Sequence, residues 1–213
     1  MRKMKYNPEK HHRKSIRLKG YDYASKGMYY ITLCVNARLC LFGDVVNEEM
    51  QLNDAGKMVD QIWREIPDHY PGTDIDEHTV MPNHLHGIII LNDTLVGAPP
   101  CGRPEMNAEI GNQEQIQAQG PAHQEQGQAQ GPAPTGTRLK LGDVVGKFES
   151  YTMHLYIQGV RNKGWKPFHK KLWQRNYYDH IIRNEKELNR IRDYIINNPL
   201  KWEFDRENPK NIK

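Results

Sequence analysis

The sequence predicts an α+β fold, an antiparallel sheet with helices on one face, close to a ferredoxin-like core. Three features carry this expectation. Runs rich in β-branched and aromatic residues occupy positions 28–35, 75–81 and 84–91. Apolar residues recur at helical spacing in three other stretches. The resulting order is strand, helix, strand, strand, helix, helix, which suits an antiparallel sheet better than a parallel one.

The elements follow in chain order. "GMYYITLCV" supplies a strand from Met28 to Val35. In "LNDAGKMVDQIWREIPDHYPG", Leu52, Met58, Val59, Ile62 and Trp63 repeat with helical period, Asn53 or Asp54 is the N-cap, and Pro67 and Pro71 mark the stop. A second strand covers Ile75 to Met81. Pro82-Asn83 punctuates it, and a third strand runs from His84 to Leu91, where "GIIIL" predicts a buried, central position. Leu141, Val144, Val145, Phe148, Tyr151, Thr152 and Leu155 outline an amphipathic helix. "KLWQRNYYDHIIRN" reads as a short strand or an irregular aromatic stretch. The last helix carries Glu185 and Glu187 near its start, apolar Leu188, Ile191, Tyr194 and Ile195 on one side, and ends before Pro199.

Composition bounds the rest. Hydrophobic residues make up 37% of the chain, below the usual globular share, so part of it is expected outside the core. Residues 92–137 account for that part: they are rich in Gln, Ala, Gly and Pro, and "QAQGPA" occurs at 117–122 and again at 128–133. Such a segment buries too little apolar surface to offset its ordering entropy and reads as a disordered insertion. Residues 1–27 form a basic arm, suited to phosphate contacts, and residues 28–213 form the domain that the insertion interrupts. The net charge of +4 permits a nucleic-acid partner without requiring one. Three scattered cysteines, with no CxxC pair, fit a reducing cytoplasm and no zinc knuckle. The basic N-terminus lacks the apolar core of a secretory signal, and no run reaches the roughly 18 apolar residues of a membrane span. A soluble cytoplasmic protein is expected.

The chemistry centres on "VMPNHLHGIIIL", Val80 to Leu91. In a strand, residues i and i+2 point to one side, so His84 and His86 project together. Such a pair reads either as ordinary polar residues on a sheet face or as two ligands of one divalent cation. The sequence continues HLHGII rather than HxHxD, which disfavours a hydrolytic zinc site. On the last helix, Tyr194 and Asn198 stand four residues apart and share a face. By pattern alone, Tyr194 reads as a core residue and Asn198 as a helix-end residue before Pro199.

"VMPNHLHGIIIL" resembles the His-hydrophobe-His motif of the HUH single-strand nucleases. "LWQRNYYDHIIRNEKELNRIRDYIINNPLKW" is similar to the C-terminal signature of the IS200-like single-tyrosine transposases, and more narrowly of the REP-associated tyrosine transposases. "HHRKSIRLKGYDYASKGMYYITLCVNAR" resembles the start of that group, so the likeness spans roughly residues 11–91 and 138–202. It implies a ferredoxin-like core with the histidine pair on a central strand. It also implies Tyr194 as nucleophile, His84, His86 and Asn198 as ligands of Mg²⁺ or Mn²⁺, and single-stranded DNA hairpins as substrate. Tyr177 and Tyr178 are rival tyrosines, better suited to packing or stacking. The same block holds Asp179 and His180, for which no role is derived.

DNA handling is expected from Lys170, Lys171, Arg175 and Arg183, which flank Trp173, Tyr177 and Tyr178. Basic groups there would track phosphates while rings stack on unpaired bases. Two features depart from the family pattern: the insertion at 92–137, and a chain that ends soon after the signature. The competing readings are an HUH replication initiator or relaxase, and a non-catalytic nucleic-acid-binding protein on the same scaffold. A monomer and a homodimer both remain open.

Overall fold

The computed structural model describes Leu18, residues 20–92 and residues 139–211. Most of the basic arm and all of the insertion except Asn92 lie outside the described residues. In chain order the elements are β1 (Gly27–Cys34), β2 (Gly43–Val46), β3 (Glu49–Leu52), α1 (Asp54–Arg64), α2 (Ile66–His69), β4 (Thr73–Met81), β5 (His84–Leu91), α3 (Leu141–Lys163), β6 (Tyr178–Ile182) and α4 (Glu185–Ile196). A 3₁₀ turn, Pro199–Phe204, follows α4. No helix among the described residues is long and apolar enough to cross a membrane.

Strands β4, β5, β1 and β6 pair in that order, antiparallel throughout. With α1 between β1 and β4, and α3 between β5 and β6, this is the interleaved β-α-β-β-α-β arrangement expected above. Strand β5 is central, and all its residues except Ile90 are buried.

Alternation along the strands creates two faces. Tyr29, Ile31, Leu33, Leu85 and Ile89 pack with Val59, Ile62 and Trp63 of α1 and with Val144, Val145 and Phe148 of α3. Tyr30, Ile88 and Ile182 pack instead with Leu188, Ile191 and Ile195 of α4. The expectation of helices on one face is therefore corrected. The two crossover helices share a face, and α4 covers the other. The physical reason is space. The first face is filled when the chain leaves β6, and the spacing of Leu188, Ile191 and Ile195 gives α4 its own apolar stripe to bury.

Polar contacts fasten α4 to the sheet. Asn184 caps it by accepting from the Glu187 N–H. His180 on β6 lies 2.7 Å from Glu187 Oε1, which gives that histidine a structural place. The register of β4 against β5 shifts between Ile75 and His78, a bulge that aims Asp76 at α4. There the Asp76 carboxylate accepts from Arg192 Nε at 2.7 Å and Nη2 at 2.6 Å, a two-pronged clamp. Asp179 accepts from the Tyr23 hydroxyl at 2.6 Å, so the end of the stretch assigned to the arm packs on the sheet.

The β2–β3 hairpin was not expected. Its turn residues Asn47 and Glu48 both have positive φ, 51° and 65°, as a two-residue hairpin turn requires. An Asn-Glu pair signals that turn more weakly than Asn-Gly.

Candidate active site: a histidine pair beneath a tyrosine helix

The site lies on the α4 face of the sheet. His84 and His86 are 0% and 3% exposed, and their Nε2 atoms are 3.1 Å apart. Burial fixes their charge. It holds His84 down at about 4, with the Asp205 and Glu207 carboxylates opposing, and puts His86 well below the usual histidine range. Both rings are neutral at pH 7.

Neighbouring groups fix the tautomer of His84 and hold the His86 ring. Asn83 Nδ2 donates to the Arg38 carbonyl at 3.1 Å and to the Glu207 carbonyl at 2.7 Å. Its Oδ1 is therefore an acceptor, and the His84 Nδ1–H donates to it at 2.9 Å. Beneath His86, Thr32 Oγ1 donates to the Tyr30 hydroxyl at 3.1 Å and lies 2.9 Å from His86 Nδ1. Tyr30 Oη also lies 2.8 Å from that nitrogen. His84 thus keeps its proton on Nδ1 and turns its Nε2 lone pair toward His86. The two Nε2 atoms, 3.1 Å apart, share one proton when His86 is protonated on Nε2, and both turn lone pairs to a divalent cation when His86 is protonated on Nδ1.

Oxygen donors complete the cluster. Asn198, 2% exposed, has a buried Oδ1 with no hydrogen-bond partner among the described residues. An orphaned buried carbonyl oxygen costs about 1–3 kcal/mol unless something occupies it. Asp205 brings Oδ2 to 3.9 Å from His84 Nε2, with its side chain 6% exposed. Its Oδ1 is already held by the Glu207 N–H at 2.6 Å. His84, His86 and Asp205 place one donor atom each within 4.8 Å of one another. Two imidazole nitrogens with amide and carboxylate oxygens suit a divalent cation.

Tyr194 stands over this group. Its hydroxyl is 3.5 Å from His86 Nε2, and its ring lies 5.2 Å from the His86 ring and 6.3 Å from the Tyr30 ring. At 40% exposure it is open to solvent, unlike the Ile191 and Ile195 side chains beside it. Burial of the hydroxyl, with the Asp205 charge, raises its pKa.

The structure therefore brings together His84, His86, Tyr194 and Asn198, and adds Asp205, Tyr30, Thr32 and Asn83. Tyr178, 42% exposed, lies on the same face with its ring 6.1 Å from that of Tyr30. Arg183 is exposed at the end of β6, where its backbone N–H donates to Glu187. Tyr177 is partly buried against the α1/α3 core.

The remaining basic residues lie elsewhere. Lys170, Lys171 and Arg175 line a cleft of about 300 Å³ against Glu149, Ser150 and Met153 of α3. Trp173 is a correction. It is 4% exposed, and its Nε1 donates to Thr152 at 2.8 Å, so it is a core residue and not a stacking platform.

Glu149 in that cleft has a buried Oε1 without a partner among the described residues, and burial pushes its carboxyl up to about 7, with Lys171 opposing. The folded state therefore holds a proton that the unfolded chain releases, and stability falls as pH rises from about 4.5 to about 7. Glu149→Gln removes that slope. Urea titrations should show the variant more stable at pH 8 by about 1–2 kcal/mol, after allowing for partial exposure, and no gain at pH 4.

No protein-family model matches the chain. An uncharacterised protein of Haemophilus influenzae is 40% identical over 201 residues, which cover 94% of this chain and 96% of that protein. The chain belongs to the same family as that protein. It is also similar to the solved structure of the REP associated tyrosine transposase bound to a REP hairpin, at 16% identity and a TM-score of 0.44, over 87% of this chain and 74% of that one.

Proposed function

We propose that this protein is a metal-dependent single-stranded DNA transposase or endonuclease that works through a covalent phosphotyrosine. The observation that carries the reading is Tyr194, a partly exposed side chain whose hydroxyl lies 3.5 Å from an imidazole of the buried histidine pair. The sequence motifs around His84, His86 and Tyr194 support it independently.

His84, His86, Asn198 and Asp205 would hold Mg²⁺ or Mn²⁺. When bound, such an ion neutralises charge on a phosphate oxygen and makes the phosphorus more electrophilic. Tyr194 Oη attacks that phosphorus in line. A P–O bond to the tyrosine forms, the bond to the 3′ oxygen breaks, and the phenolic proton ends, net, on the departing 3′ oxygen. The chain is left on the 5′ phosphate and a 3′-OH is released. Attack by another 3′-OH reverses the step and rejoins strands, with no water or ATP consumed. The α4 clamp keeps Tyr194 in position, and Tyr30 and Thr32 hold the His86 ring at Nδ1. The substrate is expected to be a DNA hairpin with an adjoining single strand.

The test is incubation with labelled single-stranded hairpins from the flanks of its own gene, with Mn²⁺ or Mg²⁺. A protein–DNA adduct that survives SDS is expected. Binding to all these hairpins with no adduct would favour a non-catalytic binding protein. Metal binding is tested separately by Mn²⁺ calorimetry. Asn198→Ala and Asp205→Asn should each weaken binding on the order of tenfold, and His84→Ala should abolish it. Unchanged affinity in Asp205→Asn would remove that carboxylate from the ligand set.

A further inference from the structure

Sheet register lays a row of side chains across the α4 face at the histidine pair. His86 on β5 pairs with Thr32 on β1, and Thr32 pairs with Tyr178 on β6. Neighbouring strands lie about 4.8 Å apart, so the Tyr178 backbone stands about 10 Å from that of His86. The rings follow the row. The buried Tyr30 ring lies 6.1 Å from the Tyr178 ring and 6.3 Å from the Tyr194 ring, edge-on to both at 67° and 90°. Tyr178 is 42% exposed and Tyr194 40%, so two accessible rings share one buried neighbour beside the same histidine.

The chain that leads into Tyr178 runs along the end of the sheet. The Gln174 N–H donates to the Cys34 carbonyl at 2.8 Å, the Asn36 N–H donates to the Leu172 carbonyl at 2.7 Å, and Trp173 bridges to Val35. Cys34 in turn pairs with His84, so this stretch is fixed across β1 from the histidine pair. From Gly164 to Tyr178 the sequence holds Lys166, Lys170, Lys171 and Arg175, all exposed, and no Asp or Glu. None of them forms a salt bridge among the described residues. Glu149 lines the cleft with Lys170, Lys171 and Arg175, and burial pushes its carboxyl up to about 7, so it offsets these cations only in part. Asp179, the next carboxylate along the chain, pairs with Ile31 on the opposite face of the sheet and accepts from Tyr23.

We propose that Tyr178 is a base-stacking residue of the site, its ring carrying an unpaired nucleobase beside the scissile phosphate, with the DNA strand continuing over Arg175, Lys170 and Lys171. The inference rests on the single-strand DNA reading above and says how that strand is held. Aromatic faces stack on any base, and cations beside them track the backbone. Two observations favour this occupant over an apolar protein surface. Tyr178 shares Tyr30 with the nucleophile, so a ligand that reaches Tyr194 has Tyr178 beside it. The cations just before it in the chain are exposed and unpaired, which suits a polyanion. Strand β6 is an edge of the sheet, so a polymer lying on Tyr178 can pass round that edge to the cleft against α3. The role is binding and placement, and Tyr178 takes no part in the bond exchange.

The test uses the full chain and fluorescence anisotropy over a range of salt. The probes are a short mixed-sequence single-stranded oligonucleotide and its counterpart carrying abasic sites. Tyr178→Ala should weaken binding of the intact probe about tenfold and leave the abasic probe unchanged, while Tyr178→Phe should bind as the wild type does. Tyr178→Leu covers Tyr30 without a flat π face and should match Tyr178→Ala. Lys170→Gln, Lys171→Gln and Arg175→Gln together should weaken both probes and lower the salt slope by about 2. Equal loss on both probes in Tyr178→Ala, or no loss on either, overturns the stacking role, and an unchanged salt slope in the triple variant overturns the onward path. A fall in Mn²⁺ affinity in Tyr178→Leu as large as its fall in DNA affinity overturns the role as well and makes the ring a prop for Tyr30. A changed oligomeric state by light scattering, with unaltered DNA affinity, assigns the ring to a contact between two copies instead. Binding is read without catalysis. An absent adduct in the wild type therefore sinks the transposase reading alone, and unchanged DNA affinity in Tyr178→Ala sinks the stacking residue alone.

Discussion

Tyr194→Phe should abolish the covalent DNA adduct, a loss on the order of a thousandfold or more, with the fold and metal binding intact. The substitution removes one oxygen. The ring keeps its edge-on packing against Tyr30, 6.3 Å away at 90°, and its place 5.2 Å from His86. The hydroxyl gives His86 only a long contact of 3.5 Å, so its loss leaves no buried donor stranded. A thermal melt and Mn²⁺ affinity close to those of the wild type would show that the defect is chemical. An adduct that persists in Tyr194→Phe would move the nucleophile elsewhere, with Tyr178 the next candidate on the same face.

Gly87→Ala should destabilise the fold by about 3 kcal/mol, the upper end of the range for overpacking. A Cβ at Gly87 would meet Trp63 Cζ2 at 2.3 Å and Cε2 at 2.8 Å. The indole has nowhere to go. It is 0% exposed, packs edge-on against Phe148 at 5.4 Å, and lies 6.1 Å from the His78 ring at 30°. Relief requires α1 to lift from β5. His84 and His86 stand on the opposite side of that strand, so Mn²⁺ affinity should fall as well. Guanidinium melts measure the stability, and Trp63→Phe in the same chain should recover part of it. A change below about 0.5 kcal/mol would contradict the contact.

The glycine that ends "HLHG" is thus explained by the helix beneath the strand, which its neighbours in sequence do not reveal. Other parts of the site were legible because they follow local periodicity. The i, i+2 rule put His84 and His86 on one side, whereas Asn198, expected on the Tyr194 face of the last helix, lies two residues past the end of α4. What was not legible depends on pairing. Tyr30 and Thr32 meet His86 only because β1 lies beside β5 in a register that sets Thr32 opposite His86. Asp205 lies beyond the last regular helix, where no repeat predicts direction. Trp173 looked like a stacking ring because its buried partner, Thr152, is 21 residues earlier in the chain. The placement of α4 depended on which face the crossover helices had already filled.

The clamp between Asp76 and Arg192 bears on how strands would be exchanged. It ties the tyrosine helix to β4 of the same chain, over an apolar underside formed by Leu188, Ile191 and Ile195. On the proposed reading, a cleaved strand is moored to an element that stays in place. The traffic is then in the nucleic acid: one 3′ end departs, another arrives, and both use the same berth over the histidine pair.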